Sequence, residues 1–115
     1  MSDLEDLMAR ANRFRDEREW RQFHSPEKMA ISLTLEAAEV LEHFQWKRGP
    51  ELEAYLSEHK EDVSDELVDV LYWVLLIADD LNIDLKEAFE RKMKKNEEKY
   101  PLEKAKGEAK KYTEL

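Results

Sequence analysis

The chain has 115 residues, enough for one modest hydrophobic core and too few for two, with 28 acidic against 19 basic side chains and a net charge of −9. That charge speaks against a nucleic-acid or anionic-membrane surface, and the absence of cysteine excludes disulfides and thiolate metal sites. The chain opens on no basic-then-apolar leader, and its longest apolar run, residues 70–78, is far short of the roughly 20 residues that span a bilayer, so the expectation is a cytoplasmic protein without a membrane partner.

Taken in chain order, the pattern is helical throughout. "SDLE" reads as a capping box, with Ser2 as N-cap and Glu5 reaching back; Leu4, Leu7, Met8, Ala11 and Phe14 follow at helical spacing, giving a first helix to about residue 18. "HSPEK" starts a second, with Ser25 as cap and Pro26 at the first helical position, where its missing N–H is no loss; this helix is expected to run to about Trp46. "KRGPE" ends it, and residues 51–59 have room for a short helical turn inside a connection. A third helix covers about residues 61–81. Asp84 with Glu87 opens a fourth, which stops near Tyr100 ahead of Pro101. The expectation is a single all-α domain over residues 1–115, a four-helix bundle completed by oligomerisation, with a charged and weakly held tail from about residue 102.

Two pairs of acids interrupt the apolar pattern. Glu36 and Glu39 lie one turn apart on the second helix, flanked by Leu33 and Val40 on one side and by Ile31, Leu35 and Ala38 on the other, while Glu42 has the weaker case and is open to a reading as a solvated residue. Glu66 and Asp69 repeat the spacing on the third helix, and Asp69 abuts the nine-residue apolar run. Two readings of such pairs stand at this point. One is a solvated helix face. The other is two packed helices converging four carboxylates on one point, where an uncompensated charge would cost several kcal/mol and oxygen ligands suit Mg²⁺ or Mn²⁺.

No Glu-x-x-His pair of the di-iron bundle type precedes His24, His43 or His59, and no nucleophile triad, P-loop or dinucleotide fingerprint is present. On the fourth helix Lys92 and Asn96 fall within the apolar face set by Leu85, Phe89 and Met93, bordered by Lys99. Either the lysine stem snorkels over the core, or an ammonium and an amide point into a cavity suited to phosphate oxygens. Trp20, Trp46 and Trp73 are open to two readings as well, as core or interface aromatics or as a stacking pocket for a flat ring.

The spacing Glu36-x-x-Glu39 followed by Glu66-x-x-Asp69 resembles the E-x-x-E…E-x-x-D signature of the MazG group of all-α nucleoside triphosphate pyrophosphohydrolases. "ERxWxQFH" at residues 17–24, "FQWK" at 44–47, "KMxxN" at 92–96 with "YP" at 100–101, and the terminal "KYTEL" are similar to its dCTP-cleaving branch over nearly the whole chain. The resemblance implies hydrolysis of dCTP or a 5-modified dCTP to the monophosphate and pyrophosphate. It implies Mg²⁺ held by Glu36, Glu39, Glu66 and Asp69, with Glu36 or Glu39 accepting a proton from water; phosphate contacts from Lys92 and Asn96; a base pocket involving Trp20, Trp46 and Trp73; and a dimer-based tetramer. Ala11 and Trp73 replace a histidine and a tyrosine of the vertebrate dCTP enzymes, and both changes bear on the base. A broad house-cleaning pyrophosphohydrolase and a non-catalytic helical interaction module are the alternatives.

Overall fold

In the computed structural model, which describes residues 2–115, the capping box at the N-terminus forms. The Ser2 hydroxyl accepts from the Glu5 N–H and the Glu5 carboxylate accepts from the Ser2 N–H, both at 3.2 Å. Helix α1 spans Asp3–Glu17. A 3-10 turn, Arg21–Phe23, leads to α2, Pro26–Glu42. Ser25 stands at the N-cap with extended backbone, but its hydroxyl makes no cap bond; the cap is carried by its carbonyl, which accepts the Met29 N–H at 3.0 Å.

α2 stops four residues before the expected Trp46. The backbone tightens at residues 43–45, where the His43 N–H bonds the Val40 carbonyl and the Phe44 N–H the Leu41 carbonyl, and Trp46 takes a left-handed φ of 66°. That turn delivers the chain to Gly49, itself at φ 59°, and Pro50, which begin α3, Gly49–Glu58. The sequence reading allowed only a short turn here. "RGP" works as a helix start, since Pro50 sits in the first turn where the missing N–H has no partner to lose. α4, Lys60–Asp80, follows without a spacer, His59 serving as the C-cap of α3 and the N-cap of α4.

The chain divides into two compact units, Met1–Asn82 and Ile83–Leu115. In the first, α4 is the central element. It packs most extensively on α2, then on α1 and, lightly, on α3. The core lies at its C-terminal half, where Leu75, Leu76 and Ala78 are buried, as are Met29 of α2 and Ala11 of α1. The N-terminal half is less covered: Leu67, Val68 and Leu71 are exposed, as are Ile31 and Leu35 of α2. Only part of the 70–78 run is therefore buried all round.

The second unit holds α5, Leu85–Lys99, capped by Asp84, whose carboxylate accepts the Glu87 N–H at 3.1 Å. After Pro101 come a four-residue helix α6, Leu102–Ala105, and a 3-10 turn, Tyr112–Glu114. The tail folds back on α5: Tyr112 meets Tyr100 edge-to-face at 6.1 Å, and the Lys99 ammonium lies 5.0 Å above the Tyr112 ring. Among the described residues there is no strand, and no helix is long and apolar enough to cross a membrane.

Candidate metal centre and aromatic wall

The packing of α2 on α4 brings Glu36, Glu39 and Glu66 together, with one carboxylate oxygen from each within 4.8 Å of the others. Glu36 and Glu66 are half-buried and Glu39 is exposed. The Oε2 atoms of Glu36 and Glu66 are both buried without a hydrogen-bond partner. Burial pushes the Glu36 carboxyl up to about 7, with the Glu39 carboxyl at hydrogen-bonding reach and the charges of Glu39, Asp69 and Glu66 acting the same way. Glu66 is raised too, first by its approach to the Glu39 carboxyl, then by burial and by the charges of Glu39 and Asp69, while His43 opposes the shift.

Three carboxylates side by side, two of them with raised pKa and a buried, unbonded oxygen each, form a donor set that fits a hard divalent cation. Such an ion, held by these residues, would supply the charge that relieves their repulsion and would give the unbonded oxygens a partner. Asp69, the fourth acid of the sequence pattern, is exposed, and its ligand atoms fall outside the group of three. Its charge still raises Glu36 and Glu66, so it stands close by. Glu42 is exposed.

Asp69 also borders a cavity of about 450 Å³ between α1 and α4, lined by Leu7, Arg10, Ala11, Phe14, Val68, Leu71, Tyr72 and Leu75. Two of these lining residues belong to a run of rings. Trp20 meets Phe14 edge-to-face at 5.6 Å, Phe14 meets Tyr72 at 5.9 Å, Tyr72 meets Trp73 at 5.3 Å, and Trp73 meets His24 at 5.1 Å. The Arg18 guanidinium caps the Phe14 ring at 3.8 Å. Trp20 and Trp73 thus share one aromatic wall. Trp46 does not join it: its side chain is 94% exposed, on the left-handed turn after α2.

Lys92 and Asn96 lie on α5 in the second unit, Lys92 exposed and Asn96 half-buried with its amide on the Met93 sulfur at 3.9 Å. Phe89 and Met93, expected to cover this face, are 66% and 40% exposed.

The sequence reading did not include Arg15 or Asp80, which dominate the polar interior. Arg15 is fully buried, its two terminal nitrogens donating to Asp80 Oδ1 at 2.7 Å and Oδ2 at 3.0 Å, with a third bond to the Asn12 side-chain Oδ1 at 2.7 Å. A signal existed. Arg15 continues the Leu4, Met8, Ala11 stripe of α1, and Asp80 continues the Trp73, Leu76 stripe of α4, so each charge sits where an apolar residue is due.

Comparison with known proteins agrees with this architecture. The profile of the MazG-like family matches residues 31–115. The chain is 36% identical to dCTP pyrophosphatase 1 of Mus musculus over 114 residues, covering 97% of this chain and 67% of that protein. For dCTP pyrophosphatase 1 of Homo sapiens the identity is 35% over the same shares. Among solved structures, a pyrophosphatase from Archaeoglobus fulgidus superposes with a TM-score of 0.81 at 41% identity, over 88% of this chain and 94% of that one. An all-helical fold, an acid cluster between α2 and α4, and these relatives agree: the chain belongs to the MazG-like family and is an enzyme of the nucleoside triphosphate pyrophosphohydrolase class.

Proposed function

We propose that the substrate is dCTP or a 5-modified dCTP, hydrolysed to the monophosphate and pyrophosphate as a means of clearing the nucleotide pool. The observation that carries this reading is the convergence of Glu36, Glu39 and Glu66 with two buried, unbonded carboxylate oxygens. The base preference draws on the dCTP pyrophosphatases to which the chain is similar. Mg²⁺, or Mn²⁺ in its place, would be held by these three residues and Asp69. When bound, a divalent cation offsets triphosphate charge and draws electron density from the phosphorus under attack.

The protein's own groups divide the remaining work. Water adds across the α–β phosphoanhydride bond; its oxygen joins one of the two phosphorus atoms, the bridging oxygen leaves with the bonding pair on the other product, and the released proton goes to Glu36 or Glu39. Glu36, half-buried on α2 with its Oε2 free of hydrogen bonds, suits a proton acceptor. Lys92 and Asn96 supply an ammonium and an amide to phosphate oxygens. Trp20 and Trp73 offer ring faces for the base, and Trp46 a third, exposed indole. Trp73 brings a larger π-face than a tyrosine would, with a donor and no acceptor, so stacking is strengthened and hydrogen-bond readout loosened. A homo-oligomer, built as a dimer-based tetramer, completes the enzyme.

The test is a panel of all dNTPs, NTPs and 5-methyl or 5-halo dCTPs with Mg²⁺, assayed for monophosphate and pyrophosphate. dCTP and its 5-modified forms are expected to lead, with dTTP behind by a modest margin. Comparable rates on every nucleotide would favour a broad house-cleaning enzyme. Orthophosphate as product would overturn the reaction.

A further inference from the structure

The aromatic wall begins and ends on the same short segment. Trp20 and His24 flank the Arg21–Phe23 turn, and between them the rings run through Phe14 of α1 and Tyr72 and Trp73 of α4. The position of this turn therefore fixes both ends of the wall. Little apolar burial holds it, since Trp20 and Phe23 are exposed.

What holds it is charge. Arg21 donates from Nη1 to Asp80 Oδ1 at 3.1 Å, and from Nε to Asp16 Oδ1 at 3.1 Å. Its Nη2 reaches the Asn12 side-chain Oδ1 at 3.2 Å and Asp16 Oδ2 at 3.4 Å. Asp80 is in turn pinned by the buried, bidentate Arg15, so one carboxylate at the end of α4 receives guanidinium groups from α1 and from the turn. The Trp20 N–H donates to the Arg15 carbonyl at 3.0 Å, which locks the indole's backbone to the same buried residue. His24 lies beside the cluster, its imidazole pushed down by burial and by the Arg15 charge, and its edge rests on Trp73.

We propose that the Arg15–Asp80–Arg21 cluster is a positioning device for the nucleotide base: it clamps the 20–24 turn so that Trp20 and Trp73 keep the spacing a flat ring requires. The assignment rests on the aromatic wall being the base seat, as in the proposed function. None of the three residues touches the acid cluster's ligand atoms, so the clamp acts on binding and leaves bond cleavage alone. Arg21 is the informative member. It is half-exposed, and its removal leaves the buried Arg15–Asp80 pair intact.

The experiment measures kcat and KM for dCTP, with the near-ultraviolet circular dichroism of the tryptophans, for wild type, Arg21→Ala, Arg21→Lys and the control Arg13→Ala, whose ion pair with Glu17 is exposed. Removing a charge-assisted clamp should raise KM by about tenfold in Arg21→Ala while kcat stays within about twofold. The tryptophan dichroism should change, Arg21→Lys should recover part of both losses, and Arg13→Ala should match wild type. Asp80→Asn, assayed on its folded fraction, should raise KM at least as far. A purely structural role would lower the melting temperature of Arg21→Ala and leave KM and the tryptophan signal of the folded protein unchanged; that result overturns the clamp. A wild type that turns over dCTP alongside variants of unchanged KM sinks this inference alone, whereas a wild type inactive on every triphosphate sinks the proposed function and this inference with it.

Discussion

Glu36 titrates near 4.5 in an unfolded chain and near 7 in the fold, chiefly because it is buried beside other acids. Between those two values the folded state binds the extra proton. Stability therefore falls as pH rises through this window in metal-free buffer, and is level in this respect below and above it. His24 acts in the opposite sense, since its lowered imidazole favours the fold as pH rises through the window below its ordinary value of 6.5, above which its effect is level. The measurement is thus a difference: the melting temperature of wild type minus that of Glu36→Gln should decline from pH 5 to pH 8 without metal, and the decline should shrink when Mg²⁺ is present. A difference independent of pH would show that Glu36 ionises normally. Glu39→Gln and Asp69→Asn should each lower kcat by more than about a hundredfold with the helices intact by circular dichroism, because an amide keeps the shape of a ligand but not the charge a hard cation needs. Near-wild-type turnover by either at low Mg²⁺ would remove that residue from the ligand set. On α5, Lys92→Ala should cost about tenfold to a hundredfold in kcat/KM for triphosphate, the loss expected for one charged hydrogen bond of about 1.5–3 kcal/mol. Lys94→Ala on the same helix is the control, and equal losses would mean that neither lysine is specific.

At the scale of elements, the α1–α4 junction is held by an ion pair in place of the apolar contact its stripe leads one to expect. Asp80→Asn leaves the buried Arg15 guanidinium without its counter-charge, and breaking such a pair costs about 3–5 kcal/mol. The Arg15 hydrogen bonds hold Asp80 below the usual carboxylate range, so its contribution is complete above the ordinary Asp value and is lost as pH falls through the lowered one. Urea titrations at pH 7 and pH 3 test this. Wild type should lose stability on acidification by more than Asp80→Asn does, and parallel losses would count against the pair. The junction also shows what the sequence made legible. α1, α4 and α5 were readable to within a residue or two, because each has a cap or a stop of defined chemistry and a sustained period. The end of α2 was not, since residues 43–46 continue the apolar period while the backbone turns to reach Gly49. α3 was missed as a full helix for the related reason that a Gly-Pro step punctuates a chain in either direction. The acid cluster was legible because carboxylates flanked by apolar residues are conspicuous. The Arg15–Asp80 pair shares that signature with opposite charges, but its partners are 65 positions apart and only the packing of α1 on α4 joins them.

For the molecule as a whole, apolar surface is distributed unevenly. In the first unit the C-terminal half of α4 is buried, while Leu67 and Val68 are 54% and 59% exposed and Ile31 and Leu35 of α2 are 58% and 59% exposed. These residues belong to α2 and α4, the two helices that also carry the acid pairs. Monomeric proteins seldom leave a contiguous apolar patch of more than a few hundred Å² open to water. A second copy presenting the same surface would cover it, and two-fold symmetry is the commonest way for one patch to meet itself. A stable dimer buries about 1,200–2,000 Å² in total, a demand that two helical faces of this length can meet. The acid cluster would then lie close to a subunit boundary, with its half-buried carboxylates shielded further from water and their need for a cation increased. Sedimentation at micromolar concentration should show a dimer or tetramer. The paired change Leu35→Lys with Leu67→Lys should shift it to monomer while helix content is retained, because both side chains are already solvent-exposed within one subunit. Wild type sedimenting as a monomer would refute the assembly, and an unchanged oligomer in the double variant would move the interface to another face.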